Sequence, residues 1–88
     1  MITVYILHSE TLDKYYIGQT SQPEERVNQH NRGESSYTKA GIPWKLVYRE
    51  SFHTRSEAMK REKQLKASKN REYIRRLIHS SRNELKKA

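Results

Sequence analysis

The chain has 88 residues, of which 33% are hydrophobic, and it carries a formal net charge of +8. This length predicts one small domain with a modest core, over residues 1–79, and leaves no room for a second domain. The absence of cysteine excludes disulfides, a cysteine-rich zinc site and a thiol nucleophile. No stretch has the length of a membrane span, and the short apolar start lacks a basic leader, so we expect a cytoplasmic protein that does not contact a membrane.

The positive charge is concentrated in the last third of the chain. Through Thr54, six Lys and Arg residues balance six Asp and Glu residues, whereas from Arg55 onward there are twelve against four. A concentrated positive field favours a polyanionic partner, and nucleic acid is the first candidate. The alternative is a solvated helical surface whose lysines serve only solubility.

The chain begins with two segments rich in β-branched and aromatic residues, 3–7 and 15–18, joined by a polar turn. This composition predicts a β-hairpin. Side chains alternate between faces along a strand, so pairing Tyr5 with either Tyr16 or Gly18 places both tyrosines on one face. Two phenols that converge beside a glycine indicate a functional site more than packing alone.

Residues 22–32 are predicted to form the first helix. Ser21 and Glu24 have the spacing of a capping box at its start, and Gly33 is placed to end it. The helix has few large apolar residues, which is unusual for an element that must pack in so small a domain.

Arg26 and His30 are four residues apart and therefore share a face of this helix. In one interpretation they are solvated neighbours of a single anchor, Val27. In the other they line a phosphate-binding pocket, because arginine offers a rigid fork for phosphate oxygens and histidine exchanges protons near neutral pH. The tyrosine pair of the hairpin favours the pocket.

A loop and a third strand are predicted over residues 33–43 and 44–53. In the loop, Tyr37 and Lys39 are candidates for contact with a nucleic-acid backbone, although Tyr37 could equally pack on the core. Alternation along the strand predicts one face formed by Leu46, Tyr48 and Phe52, with Val47 on the other.

A capping box at Thr54 and Glu57 predicts a second helix that begins at about Arg55. Glu62 lies on its apolar stripe, where a carboxylate is unfavourable unless it is paired or bound to a cation. Two explanations are open: an ion pair, with Arg26 or Lys66, or a divalent ion, since magnesium and manganese prefer hard oxygen ligands.

The last helix is predicted to begin after a break at residues 68–71 and to end at about His79. Its arginines would extend the basic surface, and the basic tail 80–88 is expected to fray because it has little to bury. The packing face of this helix is predicted to contain Tyr73, Ile74, Leu77 and Ile78.

Taken together, these residues resemble the GIY-YIG nuclease superfamily. Tyr16-Ile17-Gly18 matches the second half of the family signature, and Tyr5 keeps the tyrosine of the first half, with Thr3-Val4 where Gly-Ile would stand. The resemblance covers residues 2–78. In size, the chain is similar to the short single-domain bacterial members of the family. It implies a small α/β fold, a three-stranded mainly antiparallel sheet flanked by helices in the order β-β-α-β-α-α.

The resemblance also implies a metal-dependent endonuclease. Tyr5 would act as general base, Arg26 would contact the phosphate, and Glu62 would hold one Mg²⁺ or Mn²⁺ ion. A phenol with a reference pKa near 10 needs nearby positive charge for this role, and Arg26 and Lys63 are candidate sources. The family often has a further asparagine near the site, but the spacing of Asn70 does not assign it to that position. The full candidate set is catalytic Tyr5, Tyr16, Arg26, His30 and Glu62, with Gly18, Tyr37, Lys39, Lys63, Lys66 and Arg71 binding substrate.

We expect DNA rather than RNA as the substrate, by similarity to the repair incision nuclease and the intron-homing endonucleases. Those larger relatives carry additional targeting domains, so this chain is expected to be structure-selective, weakly specific or targeted by a protein partner. Two alternatives remain at this point: a non-catalytic nucleic-acid-binding module of the same fold, and a scaffold whose basic helices bind an acidic protein.

Overall fold

The computed structural model describes residues 1–68 and 70–86, so Lys69 in the predicted helix break and residues 87–88 of the predicted tail lie outside the described residues. The observed order confirms the predicted β-β-α-β-α-α architecture, with short 3₁₀ turns added at Lys39–Gly41 and Glu84–Lys86. Within the described residues, no helix is long and apolar enough to cross a membrane. The elements are β1 (Ile2–Ser9), β2 (Lys14–Thr20), α1 (Pro23–Asn31), β3 (Trp44–Phe52), α2 (Arg55–Ser68) and α3 (Arg71–Ile78).

The three strands form one antiparallel sheet in the order β2-β1-β3, so β1 occupies the centre. The register places Tyr5 opposite Gly18 on one side and Arg49 on the other. This is one of the two pairings predicted from alternation. The central strand is almost fully buried, since it has a strand on each side and helices on both faces.

Alternation along β1 divides the core into two clusters. Val4 and Ile6 pack with residues of α2 and α3, such as Leu65 and Leu77. On the opposite face, Tyr5 and its neighbours Leu7 and Trp44 pack with Val27 of α1. The hairpin therefore carries the Tyr5 side chain towards α1, the helix with the predicted arginine and histidine.

The predicted faces of β3 are wrong at Leu46 and Val47, because the strand contains a β-bulge. Tyr48 pairs with Ile6 whereas Leu46 pairs with Leu7, so the extra residue Val47 shifts the register between them. As a result Leu46 packs on the Tyr5 face, while Val47 and Tyr48 pack on the opposite face. Strict alternation fails here because a bulge puts two residues of one strand against one of its partner.

The ends of the first two helices show where the capping predictions succeed and fail. At α2, Thr54 Oγ1 accepts from the Glu57 amide and Glu57 Oε1 accepts from the Thr54 amide, both at 3.2 Å, which confirms the capping box. At α1 the predicted box at Ser21 is wrong, because the N-cap is Gln22 and it makes no side-chain capping bond. Gly33 follows α1 with a φ of +78°, as expected for a helix-ending glycine.

The structure assigns Asn70 as the N-cap of α3. Its Oδ1 accepts from the backbone amides of Glu72 and Tyr73 at 2.9 and 3.3 Å. The predicted packing face of α3 holds for Ile74 and Leu77, which are buried, but not for Tyr73, which is exposed. Tyr73 lies in the first turn of the helix.

The segment after α3 packs against β3, so the prediction that it frays from Ser80 onward is wrong for Asn83 and Glu84. Asn83 is buried, donates to the Val47 carbonyl at 2.9 Å and accepts from the Arg49 amide at 3.3 Å. The Glu84 carboxylate accepts from the Ser51 amide and hydroxyl at 2.7 and 2.8 Å. These two side chains satisfy backbone groups on the outer side of β3.

Candidate active site

Tyr5 and Gly18 form the floor of the candidate site. Tyr5 is only 1% exposed, and its phenol lies directly against the Gly18 backbone. A β-carbon at position 18 would lie 2.6 Å from the Tyr5 hydroxyl oxygen, far inside van der Waals contact. Gly18 is predicted to bind substrate; the contact seen in the structure is that it makes room for the tyrosine of the neighbouring strand.

The Tyr5 hydroxyl begins a buried chain of hydrogen bonds. Its oxygen lies 3.3 Å from His30 Nε2, and His30 Nδ1 lies 2.7 Å from the hydroxyl oxygen of Thr38. The Thr38 hydroxyl oxygen also lies 3.5 Å from the Ser35 carbonyl oxygen. In the tautomer of neutral His30 that is protonated at Nδ1, Nδ1 donates to the Thr38 oxygen and Nε2 accepts the Tyr5 hydrogen.

The surroundings of this pair determine its charge. Burial, and secondarily the charge of Arg26, holds the pKa of His30 below its usual value, so the imidazole is neutral at pH 7. Burial raises the pKa of the Tyr5 hydroxyl, and the Arg26 guanidinium beside it offsets only part of that effect. Both side chains are therefore neutral at pH 7. Arg26 is the source of positive charge expected beside Tyr5, whereas Lys63 lies with Arg55 along a separate hollow on α2.

Tyr16 joins this chain to the protein surface. Its ring centroid lies 5.0 Å from that of His30, 6.4 Å from that of Tyr5 and 6.0 Å from that of Tyr37. Tyr37 is 85% exposed, so it does not pack on the core. The predicted Tyr5, Tyr16, Arg26 and His30 thus converge, with Tyr37 at the rim.

Glu62 extends from α2, which packs on the face of the sheet opposite Tyr5. Its side chain is 17% exposed and each carboxylate oxygen has a partner: Oε1 accepts from the Gln19 amide and Oε2 pairs with Lys66 Nζ, both at 2.8 Å. The expected ion pair is therefore with Lys66 and not with Arg26. Glu62 lies close enough to Tyr5 for its negative charge to contribute to the raised pKa of the phenol.

A divalent ion at Glu62 would have a single protein carboxylate as its ligand. Among the described residues, no group of three or more His, Cys, Asp or Glu side chains could hold a metal. An ion at Glu62 would therefore draw its other oxygen ligands from water and a substrate phosphate, which is a common arrangement for magnesium. The residues present thus fit a hard ion with one protein carboxylate.

Among the described residues, basic side chains of the last third lie along two separate hollows and, in one case, in the core. Lys66 and Arg71 line a groove of about 890 Å³ together with Tyr16 and Tyr37. Arg71 also holds the hairpin turn, donating to the Asp13 carbonyl and carboxylate at 2.7 and 2.9 Å. Lys39 is exposed in the 3₁₀ turn, and Lys63 lies apart from this groove. Arg61 is buried and paired with Glu50 at 3.0 Å, so it adds no charge to a binding surface.

Sequence reasoning missed two residues of the site, Thr38 and Gln19. Thr38 is buried and hydrogen-bonds to His30 Nδ1, and Gln19 donates to one oxygen of Glu62. Gln19 directly follows the Tyr16-Ile17-Gly18 motif and Thr38 directly follows Tyr37, so proximity to predicted site residues was the only available signal.

The sheet thus gathers Tyr5 and Tyr16 with Arg26 and His30 of α1 on one face, while Glu62 lies on α2 across the sheet. The model of the GIY-YIG catalytic domain matches residues 1–75, and the chain belongs to the GIY-YIG family, a family of nucleases. It is 42% identical over 65 residues to a UPF0213 protein of Haloquadratum walsbyi, covering 73% of this chain and 72% of that relative. It is 46% identical over 52 residues to a UPF0213 protein of Staphylococcus aureus strain Mu3, covering 58% of this chain and 63% of that relative. No solved structure shows significant similarity to the chain.

Proposed function

We propose that this protein is a metal-dependent endonuclease that hydrolyses phosphodiester bonds in DNA. The observation that carries the proposal is the buried chain from Tyr5 through His30 to Thr38, with the Arg26 guanidinium beside the Tyr5 hydroxyl. Family membership supports nuclease chemistry. A buried tyrosine hydroxyl 3.3 Å from a neutral imidazole nitrogen supports proton transfer at that position.

Tyr5 acts in this proposal as a relay and not as a preformed phenolate. Because burial raises its pKa, the hydroxyl is protonated at neutral pH. The attacking water gives a proton to the Tyr5 oxygen while Tyr5 passes its own hydrogen to His30 Nε2, 3.3 Å away. Water thereby becomes the nucleophile and His30 becomes a cation. General-base assistance of this kind contributes about 10²–10⁴-fold to a rate.

Arg26 and Glu62 supply the remaining electrostatics. The half-buried Arg26 guanidinium offers donors to phosphate oxygens next to the tyrosine hydroxyls, where negative charge develops in the transition state. Glu62 holds the divalent ion, Mg²⁺ or Mn²⁺, which when bound neutralises phosphoryl charge and stabilises the leaving oxygen. Tyr16 lies between His30 and the exposed Tyr37 and contributes a hydroxyl at the phosphate.

The groove beside β2 supports nucleic acid as the substrate. Lys66 and Arg71 provide cations and Tyr37 provides an exposed ring at its rim, the combination that follows a phosphate backbone and its bases. Lys39 and Lys63 extend the contact beyond the groove. DNA is proposed over RNA on family similarity, and a protein partner would direct the domain to its target.

A cleavage assay tests this function. The wild type is incubated with single-stranded, duplex, flap and junction DNA, with Mg²⁺, with Mn²⁺ and with chelator, next to Tyr5→Phe and Tyr15→Phe. We expect metal-dependent cleavage that falls about 10²–10⁴-fold in Tyr5→Phe, since only the hydroxyl is lost. Tyr15 faces the other side of β2, and Tyr15→Phe keeps the ring that lines the groove, so this matched control should cut like the wild type. Equal rates in both variants would contradict the relay, and no cleavage of any substrate would favour a binding module.

A further inference from the structure

Each oxygen of the Glu62 carboxylate contacts a different kind of partner. Oε1 accepts a hydrogen from the neutral Gln19 amide at 2.8 Å, and the Gln19 oxygen accepts from Arg55 at 3.3 Å. Oε2 contacts the Lys66 ammonium at 2.8 Å. One oxygen is thus held in place by an oriented amide, whereas the other already has a cation.

We propose that Lys66 is a resident counter-ion of Glu62 and is exchanged for the divalent ion when that ion binds. The proposal rests on the proposed function, in which Glu62 is the metal ligand. The Lys66 ammonium lies 2.8 Å from Oε2 and would repel a divalent cation bound to the same oxygen. The ammonium and the divalent ion therefore cannot occupy this position together. Gln19 keeps Oε1 fixed during the exchange, and the carboxylate does not need to find a new orientation.

The two side chains of the ion pair differ in solvent exposure, and we expect the more exposed one to move. Glu62 is 17% exposed whereas Lys66 is 55% exposed. Lys66 also lines the groove with Tyr16 and Arg71, so the displaced ammonium remains beside the path proposed for the substrate backbone. Binding of the metal therefore releases one positive charge for a phosphate, and the two ligands assist each other.

The test measures metal binding without nucleic acid. Mn²⁺ is titrated into the ¹⁵N-labelled full chain, and the paramagnetic loss of NMR signal near Gln19 and Glu62 gives the location and the affinity of the ion. Lys66→Met should bind Mn²⁺ about two- to fivefold more tightly than the wild type, the equivalent of a partly exposed ion pair. Lys66→Arg keeps the cation and should bind like the wild type.

Lys63→Met is the charge-matched control, because it removes one lysine of the same helix that lies along the other hollow. If Lys66→Met and Lys63→Met raise the affinity equally, general electrostatics explains the gain and the exchange is overturned while Glu62 remains the ligand. If Glu62→Gln leaves the affinity and the position of the signal loss unchanged, the metal ligand itself is wrong and both proposals fail. A gain confined to Lys66→Met and loss of binding in Glu62→Gln support the exchange.

Discussion

Tyr5 and Gly18 face each other across β1 and β2, and the Tyr5 phenol fills the space that a β-carbon on Gly18 would need. In Gly18→Ala that carbon would meet the Tyr5 hydroxyl oxygen at 2.6 Å and its ring carbon Cζ at 2.7 Å. Tyr5 is buried and cannot turn into solvent, so the strands or the ring must shift. We expect a loss of about 1–3 kcal/mol in the free energy of unfolding, measured by denaturant titration, and a large loss of cleavage.

Gly33→Ala is the control for this prediction. Gly33 has a φ of +78° but open surroundings, with the nearest atoms 3.8 Å from an added β-carbon. The alanine should lower the free energy of unfolding by about 1–2 kcal/mol through backbone strain alone and leave the cleavage rate of the folded protein unchanged. Similar cleavage rates in the two alanine variants would show that the Tyr5–Gly18 contact does not position the hydroxyl.

The pKa of His30 provides a test of the relay that does not require cleavage. Burial and the Arg26 charge hold this pKa below its usual 6.5. An NMR titration of the His30 ring should give a value under 6.5 in the wild type. In Arg26→Gln it should move upward, because the nearby positive charge is removed. A value at or above 6.5 in the wild type would contradict the neutral imidazole on which the relay depends.

The same shift predicts the direction of two pH dependences. The folded state prefers neutral His30, so its contribution to stability is complete above pH 6.5 and is lost as the pH falls through the lower folded-state pKa. Cleavage should decline over the same acidic window, since a protonated His30 cannot accept the Tyr5 hydrogen. Denaturation curves and single-turnover rates measured between pH 7 and pH 5 check both.

Glu62→Gln should abolish metal-dependent cleavage and leave the fold intact. The amide keeps the shape of the side chain but loses the charge that holds the ion. The lost partner, Lys66, is 55% exposed and one helical turn away, and such pairs contribute only about 0.3–0.5 kcal/mol. The melting temperature should therefore change little.

Glu72→Gln is the matched comparison, because Glu72 forms the same type of pair with Arg76 on α3, away from the candidate site. It should melt like Glu62→Gln and cleave like the wild type. Full cleavage by a well-folded Glu62→Gln protein would remove Glu62 from the catalytic set.

Binding of nucleic acid should depend steeply on salt. If the groove holds a phosphate backbone, the logarithm of the affinity falls linearly with the logarithm of the salt concentration. Removing one phosphate contact, as in Lys66→Ala, should reduce that slope by about one. Lys45→Ala, an exposed lysine of β3 outside the basic third, should leave it unchanged. Affinity that does not respond to salt would favour the scaffold for an acidic protein.

Much of the fold could be predicted from local patterns in the sequence. Alternation in the hairpin predicted that Tyr5 and Tyr16 share a face, and the Thr54 capping box predicted the start of α2. These features depend on residues close in sequence. The i,i+4 spacing of Arg26 and His30 similarly placed both beside Tyr5 once α1 packed on that face of the sheet.

The features that could not be predicted depend on contacts between distant residues. The bulge at Val47 changes the register without a distinctive residue type. Arg61 looks like any other cation of the last third, yet it is buried because Glu50 of β3 lies opposite it. Gln19 contacts Glu62 across 43 positions of the chain, and only the packing of α2 on β2 brings them together.

Asn83 and Glu84 have a consequence for how this domain behaves when it is shortened. Their side chains occupy the hydrogen-bonding positions of Arg49 and Ser51 that a fourth strand would otherwise use. An unpaired strand edge is a template for intermolecular pairing. A chain cut before Asn83 would therefore expose the unpaired edge of β3 to other molecules. We expect it to aggregate even though its core and its candidate site are complete.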